Sequence, residues 1–205
     1  KAAGEAADVA ETVEAAAVIF APPAVEYDPS ALGEYGYGRY GNVITRGEFA
    51  RMLSGGGAPA RPSDGRAAGS VAFVQCVGSR GSREHWHPWC SAVCCRHALS
   101  QAARLRQIAP ECRVKIFYMD LMMMGKGCEQ FAESVRASGI ECARSLPASL
   151  REVKPGRGLV VKWVDEKGAA AREEFELAVL STGIAPGRFF ERTAATLGVE
   201  LGVLA

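Results

Sequence analysis

The sequence contains no apolar run that reaches the ~18 residues needed to cross a bilayer. It also has no surplus of one charge: 24 Lys and Arg stand against 23 Asp and Glu, a formal net charge of +1. The first absence removes a transmembrane helix, and the second removes the electrostatic footprint of a nucleic-acid or anionic-membrane partner. The start, KAAGEAADVAETVEAAAVIF, is rich in alanine but is broken by acids and lacks the basic segment that opens a signal peptide. No internal repeat is evident. These absences describe a cytoplasmic globular chain with neither nucleic acid nor direct membrane insertion among its contacts, and a 48% hydrophobic content supplies enough apolar material for one good core.

One further absence is the most instructive. A buried-type strand, Val71–Gln75, runs through a loop into a helix at VAFVQCVGSR…HPWCSAVCCRHALSQ. In a dinucleotide-binding unit such a junction carries Gly-x-Gly-x-x-Gly, because only glycine lets the backbone close on a pyrophosphate. Here the junction carries Cys76, Cys90, Cys94 and Cys95 at a C-x13-C-x3-C-C spacing, four of the seven cysteines. Seven is odd, and adjacent Cys94 and Cys95 make a poor disulfide because neighbouring side chains seldom reach the required geometry. Reduced thiols holding a metal fit better. A helix start suits thiolates, since the positive end of the dipole and its free N–H groups face negative sulfur. The spacing differs from the paired short knuckles of structural zinc sites, so iron–sulfur is the first reading and zinc the second. The plain alternative is that these are small buried hydrophobes.

The rest of the chain reads as alternating elements. Residues 12–20 look like a short strand, followed by a Pro-interrupted turn, APPAVEYDP. Thr45 and Glu48 stand in capping-box spacing ahead of Phe49, Met52 and Leu53. The loop SGGGAPARPSDGRAAG marks a boundary between residues 1–66, an edge of one domain with its connection, and residues 67–205, a Rossmann-like domain. Beyond it come a helix through about Ala109, a strand over Arg113–Met119, a helix striped by Cys128, Phe131 and Val135, and a third strand from Ile140. That alternation predicts parallel βαβ units in an α/β fold. From Ser149 the pattern changes to a small antiparallel meander that returns to the sheet. The end, LGVELGVLA, reads as a cut through a larger fold.

Smaller signals surround the cysteines. His85 and His87 sit in the ligand loop, where packing against Trp86 and Trp89 competes with coordination; His97 reads as packing. Cys112, Cys128 and Cys142 share no motif spacing. Asp120, at a strand end where a nucleotide-binding fold keeps its ribose-binding acid, has no glycine cradle upstream and reads as a turn residue. Met122–Met124 reads as gap-filling core. Lys126, between Gly125 and Gly127, is placed on a loop at the carboxyl ends of the strands, where such sheets bind ligands. Ser181, Thr182 and Gly183 end a hydrophobic strand and look like the Ala-Thr-Gly turn of two-dinucleotide-domain flavoproteins.

Taken in order, EYGYGRYGNVITRGEF, RPSDG, VAFVQCVGSR, WCSAVCC, FYMDLMMMGKGCEQF and VLSTGIAP resemble the A subunit of heterodisulfide reductase and its relatives in quinone-interacting membrane-bound oxidoreductase complexes. The resemblance implies a thioredoxin-reductase-like fold in which the domain equivalent to an NADPH domain holds a [4Fe-4S] cluster near FAD. Its ligands would be Cys76, Cys90, Cys94 and Cys95. Lys126, Ser181, Thr182 and Gly183 would contact the flavin, and the partners would be other subunits of such a redox complex. The sequence departs from that pattern: Ala21-Pro22-Pro23 replaces a first Ala-Thr-Gly turn, and the N-terminal flavin glycine motif, the last flavin-binding segment and the CxxCxxCxxxCP ferredoxin motifs are missing. The expectation is an electron-transfer oxidoreductase subunit that is not active alone, set against a zinc-binding or structural scaffold module.

Overall fold

The computed structural model describes residues 13–21 and 23–200. In chain order its elements are β1 (Ala24–Glu26), β2 (Val43–Thr45), α1 (Arg46–Ser54), β3 (Ser70–Val77), α2 (Cys94–Ile108), β4 (Arg113–Tyr118), α3 (Cys128–Ala137) and β5 (Glu141–Arg144). Then follow β6 (Ser149–Lys154), β7 (Arg157–Val164), β8 (Ala170–Phe175), β9 (Leu177–Thr182), β10 (Ile184–Pro186) and α4 (Arg188–Leu197).

Strands β2, β9, β3, β4 and β5 lie side by side in that order, and every pairing among them is parallel. A parallel sheet is covered on both faces, so its central strands read as continuous apolar runs rather than alternating ones. Accordingly β3 is buried from Val71 onward and β9 over its whole length. One face packs against α1, α2 and α3 through Phe49, Phe73, Leu99, Leu105, Ile116 and Val179. The other packs against the antiparallel meander β6-β7-β8 through Val74, Phe117, Leu150, Leu159, Phe175 and Leu180. The expected α/β architecture, parallel βαβ units followed by a meander, is the one observed. The run EEFELAVL divides at Glu176: its first part closes the meander as β8, and its second turns back as β9 into the middle of the parallel sheet.

Local chemistry accounts for the helix starts and stops. Thr45 Oγ1 accepts from the Glu48 N–H at 3.3 Å, and Glu48 Oε2 accepts from the Thr45 N–H at 2.7 Å, so the expected capping box is formed. On α2 the positions Cys94, Cys95, Ala98, Leu99, Ala102 and Leu105 form one buried stripe, the three- and four-residue spacing of a helix face. GYGRYG, residues 36–41, has the letters of a dinucleotide fingerprint but lies in turns ahead of β2, with the Tyr40 ring packed over Gly36.

Two expectations about the first part of the chain are corrected. Of the strand expected over residues 12–20, residue 12 lies outside the described residues and 13–20 form no strand. Val13, Val18 and Ile19 are largely exposed, and an apolar run with no sheet partner gains nothing by extending. The strand lies instead in the segment expected to be a turn: β1 pairs antiparallel with β10, in a two-stranded ribbon whose edges tolerate flanking prolines. β2 and α1, ahead of the boundary expected near residue 66, share their sheet and core with β3 and α2. The terminal LGVLA lies outside the described residues.

Phe117 joins the parallel sheet to the meander, its ring edge-on to Trp163 at 4.9 Å and to Phe175 at 6.1 Å. It is fully buried. Phe117→Ala is expected to cost about 3–5 kcal/mol in urea unfolding, and a cost below about 1 kcal/mol, well under that range, would show that the two layers do not fold as one unit.

Candidate metal centre

In open parallel sheets, ligands bind at the carboxyl ends of the strands where the strand order reverses. From β3 the chain moves outward through β4 to β5, while β9 and β2 lie on the opposite side of β3. The reversal therefore falls between the ends of β3 and β9. The thiols collect there.

Cys76 ends β3 on a bulge. Between Val74 and Val77 the strand advances three residues while β9 advances two, from Leu180 to Thr182. Cys76 sits within that excess in a left-handed conformation, φ +58°, which costs a non-glycine residue about 1–2 kcal/mol. Bulges re-aim side chains, and this one sits at the crevice. Cys94 and Cys95 arrive from above in the first turn of α2. Cys94 Sγ donates to the Thr182 carbonyl at 3.4 Å and Cys95 Sγ to the Asp120 carbonyl at 3.6 Å, tying the helix start to the ends of β9 and β4. Cys90 comes from the loop and accepts from the Ala92 N–H at 3.4 Å. It is exposed, whereas Cys76, Cys94 and Cys95 are buried.

The connecting loop is held in an unusual backbone. All the non-glycine residues of positive φ among those described, Cys76, Arg80, His85 and Ala92, fall between residues 76 and 92. Backbone hydrogen bonds close the loop on itself: Arg80 N–H to Trp89 O at 3.1 Å, Gly81 N–H to His87 O at 3.1 Å, and His87 N–H to Gly78 O at 2.9 Å. Tyr27 lies so close over Gly78, φ +75°, that a Cβ there would enter its ring. His87 stacks on Trp89 at 4.5 Å and meets Tyr27 edge-on, the packing role rather than the ligand role. The Tyr27 hydroxyl donates to the His85 carbonyl. His97 is turned to Arg46 on α1, and burial with that guanidinium holds its pKa below the usual imidazole value.

Burial dominates the electrostatics of the thiols. It pushes the Cys76 pKa up to about 11, with a neighbouring Cys95 adding to the rise and Arg80 opposing it. It pushes Cys94 up to about 12, with Arg46 opposing, and raises Cys95 as well. Charge on Cys76, Cys90 or Cys95 raises the pKa of at least one other of the four, which places them in one electrostatic neighbourhood. Among the described residues no three His, Cys, Asp or Glu side chains are gathered closely enough to hold a single ion. Arg80 donates to Asp120 Oδ2 at 2.9 Å and Arg144 to Asp120 Oδ1 at 3.0 Å. Arg80, then Arg144, hold the Asp120 carboxyl below its usual range, so its role at the strand end is to clamp the crevice rim.

The surroundings fit an iron–sulfur group. None of the four thiols is in a disulfide, and soft thiolates are the donors iron–sulfur centres take. Val93, the N-cap of α2, makes no side-chain cap, which leaves first-turn N–H groups and the positive helix end directed at the thiols. Gln75 Nε2 and Oε1, Ser79 Oγ, Arg80 Nη1 and Ser181 Oγ are buried without a hydrogen-bond partner. Gln75, Ser79 and Arg80 were not singled out in the sequence, although Gln75 is the one polar letter in VAFVQCV.

The residues expected to face a flavin are divided. Ser181, Thr182 and Gly183 lie at the same crevice and are buried. The Thr182 hydroxyl is already committed to Glu26, donating to it at 2.7 Å. Glu26 also accepts from Thr45 Oγ1 and from the Gly47 N–H at the start of α1. A Cβ on Gly183 would collide with the hydroxyls of Ser79 and Ser91. Lys126 is exposed in the loop before α3. Cys112, Cys128 and Cys142 stand apart, Cys128 donating to the Met124 carbonyl at 3.1 Å.

The fold and the crevice define an α/β domain of the dinucleotide-binding type in which thiols line the ligand crevice. No protein-family model matches the chain. It is 41% identical over 165 residues to the second iron-sulfur A subunit of CoB–CoM heterodisulfide reductase from Methanopyrus kandleri, covering 78% of this chain and 25% of that protein. It is 38% identical over 182 residues to the corresponding iron-sulfur A subunit from Methanocaldococcus jannaschii, covering 86% and 28%. With the A subunit of the H2:CoB-CoM heterodisulfide,ferredoxin reductase from Methanothermobacter thermautotrophicus the identity is 35% over 194 residues, covering 92% and 29%. The chain belongs to the family of heterodisulfide reductase A subunits, and it spans between a quarter and a third of the length of these curated relatives. The solved structure of LpdA from Mycobacterium tuberculosis overlaps 60% of the chain and 22% of its own at 13% identity, with a TM-score of 0.38.

In metal-free chain, alkylation by iodoacetamide read by mass spectrometry is expected to reach exposed Cys90 first. Cys76, Cys94 and Cys95 should react at least about tenfold more slowly, because they are buried and Cys76 and Cys94 hold their protons to about pH 11 and 12. Equal rates at all four would show that the crevice does not close over the three.

Proposed function

We propose that this chain carries one [4Fe-4S] cluster on Cys76, Cys90, Cys94 and Cys95 and serves electron transfer between a flavin and further iron–sulfur centres within a heterodisulfide reductase A-type subunit. The observation that carries the reading is the gathering of four reduced thiols at the strand-order reversal, beneath the uncapped start of α2. The relatives are named iron-sulfur subunits, which agrees with it. The cluster supplies one-electron capacity; the chain's residues do the rest. Cys76, Cys94 and Cys95 hold it from fixed backbone, Cys90 closes it from the loop, and Arg80 with the start of α2 offsets its negative charge.

The flavin enters as FAD, with Lys126 and the backbone of the Ser181–Gly183 turn as one wall of its site and the pyrophosphate cradle supplied from outside this sequence. The partners are other subunits of such a redox complex. No helix among the described residues is long and apolar enough to cross a membrane.

Three measurements decide. Anaerobically purified chain is expected to be brown, with about four irons and matching sulfide per chain; zinc in place of iron would support a scaffold role instead. Cys94→Ser or Cys95→Ser is expected to lower iron content at least about fivefold while Cys142→Ser leaves it unchanged, because a hydroxyl is a poor substitute for a soft thiolate. Titration with FAD is expected to show weak binding or none, since the chain lacks the glycine-rich cradle whose N–H groups grip the diphosphate. Tight stoichiometric FAD binding would overturn that part of the assignment.

A further inference from the structure

The alternation of β3 and β9 leads to a feature that the thiols do not use. Val71 and Phe73 of β3, and Leu177 and Val179 of β9, belong to the core under the helices, while Ala72, Val74, Ala178 and Leu180 belong to the core under the meander. Continuing each row by one step of two residues places Gln75 and Ser181 on the helix side. Each directly follows a member of the Val74–Leu180 pair, the last before the bulge on β3. They occupy the last row before the carboxyl edge, on the face that α2 covers, and the first turn of α2 presents Cys94 and Cys95 to that face.

Both residues are fully buried, at 0% exposure. Gln75 Nε2, Gln75 Oε1 and Ser181 Oγ all lack a hydrogen-bond partner. An unpartnered buried amide or hydroxyl costs about 1–3 kcal/mol, and a primary amide in a strand that is otherwise apolar cannot be a packing choice, since leucine would fill the same volume without that cost. Two donors left open in the last row of β3 and β9 before the carboxyl edge mark the place of an acceptor.

We propose that the Gln75 amide N–H and the Ser181 hydroxyl donate hydrogen bonds to the sulfur atoms of the group held by the four thiols, and thereby raise its reduction potential. The proposal rests on the cluster reading above and deepens it by naming the residues that set the potential. Reduction brings in one electron and moves no atom, so the added charge spreads over sulfur. A donor aimed at sulfur favours the reduced form over the oxidised one, and removing that donor makes reduction harder.

The test uses the full chain loaded with iron and sulfide under anaerobic conditions, titrated with dithionite and redox mediators and followed by electron paramagnetic resonance. Gln75→Leu keeps the volume and removes the donor. It is expected to lower the equilibrium constant for one-electron reduction about tenfold, a shift of ~59 mV to more negative potential for a one-electron couple. Ser181→Ala is expected to shift it in the same direction by a smaller factor, and Ser134→Ala, on the exposed surface of α3, not at all. Iron per chain should stay at the parent value in each variant. If Gln75→Leu loses iron, the Ser181→Ala potential decides. Loaded variants that keep the parent potential overturn the proposal, and a buried water or a purely structural role would give that result, lowering thermal stability without moving the potential. A parent chain that takes up no iron would overturn the cluster reading itself, a distinct result seen before any titration begins.

Discussion

The insertion of β9 between β2 and β3 is the constraint on which the rest of this structure depends. It is the last strand of the parallel sheet to be made, yet it takes a central position, pairing with β2 on one side and β3 on the other. Its two faces complete both cores: Leu177 and Val179 under the helices, Ala178 and Leu180 under the meander. Its end also creates the reversal in strand order. Without it β3 would be an edge strand, and Cys76 would stand at an open margin rather than in a crevice.

The same edge of the sheet concentrates the costs of the fold. The left-handed residues Cys76, Arg80, His85 and Ala92, the open donors Gln75 and Ser181, and an uncapped helix start all lie within one region. Elsewhere α1 has its capping box, α3 and α4 share the lack of a side-chain cap, and the positive-φ positions outside residues 76–92 are glycines among the described residues. Left-handed non-glycine backbone gathered in one loop is the kind of strain that collects at functional sites.

Much of this was legible in the sequence. The thiols at a strand-to-helix junction, the alternation of βαβ units and the capping box at Thr45 all express themselves over short spacings. What was not legible required pairing between distant segments. The three residues Ala24–Glu26 carry too little pattern to be read as a strand until β10 lies beside them, and apolar content without a partner misled the reading of residues 13–20. The bulge at Cys76 is invisible in VAFVQCV because it is a mismatch of register with β9. Asp120 was read as a turn residue, but its clamp by Arg80 and Arg144 joins side chains 40 and 24 positions away. Glu26 likewise gained its role from Thr182, 156 residues on.

The backbones that present the four thiols differ in origin. Cys76 is fixed by a sheet register, and Cys94 and Cys95 by a helix docked on that sheet, so their positions are secured as soon as the two layers fold. Cys90 alone rides on the connecting segment, which is held by hydrogen bonds of its own making, by Tyr27 against Gly78, His85 and His87, by Trp86 in the core under the meander and by the Ser91 hydroxyl, which accepts from the Ile184 N–H. The conformational entropy lost in placing the fourth thiol falls on the stretch between Gly78 and Ser91, whereas the other three are placed by the sheet and the helix themselves. Three of the thiols are thus placed by the layers of the fold, and the fourth by a loop tied to those layers.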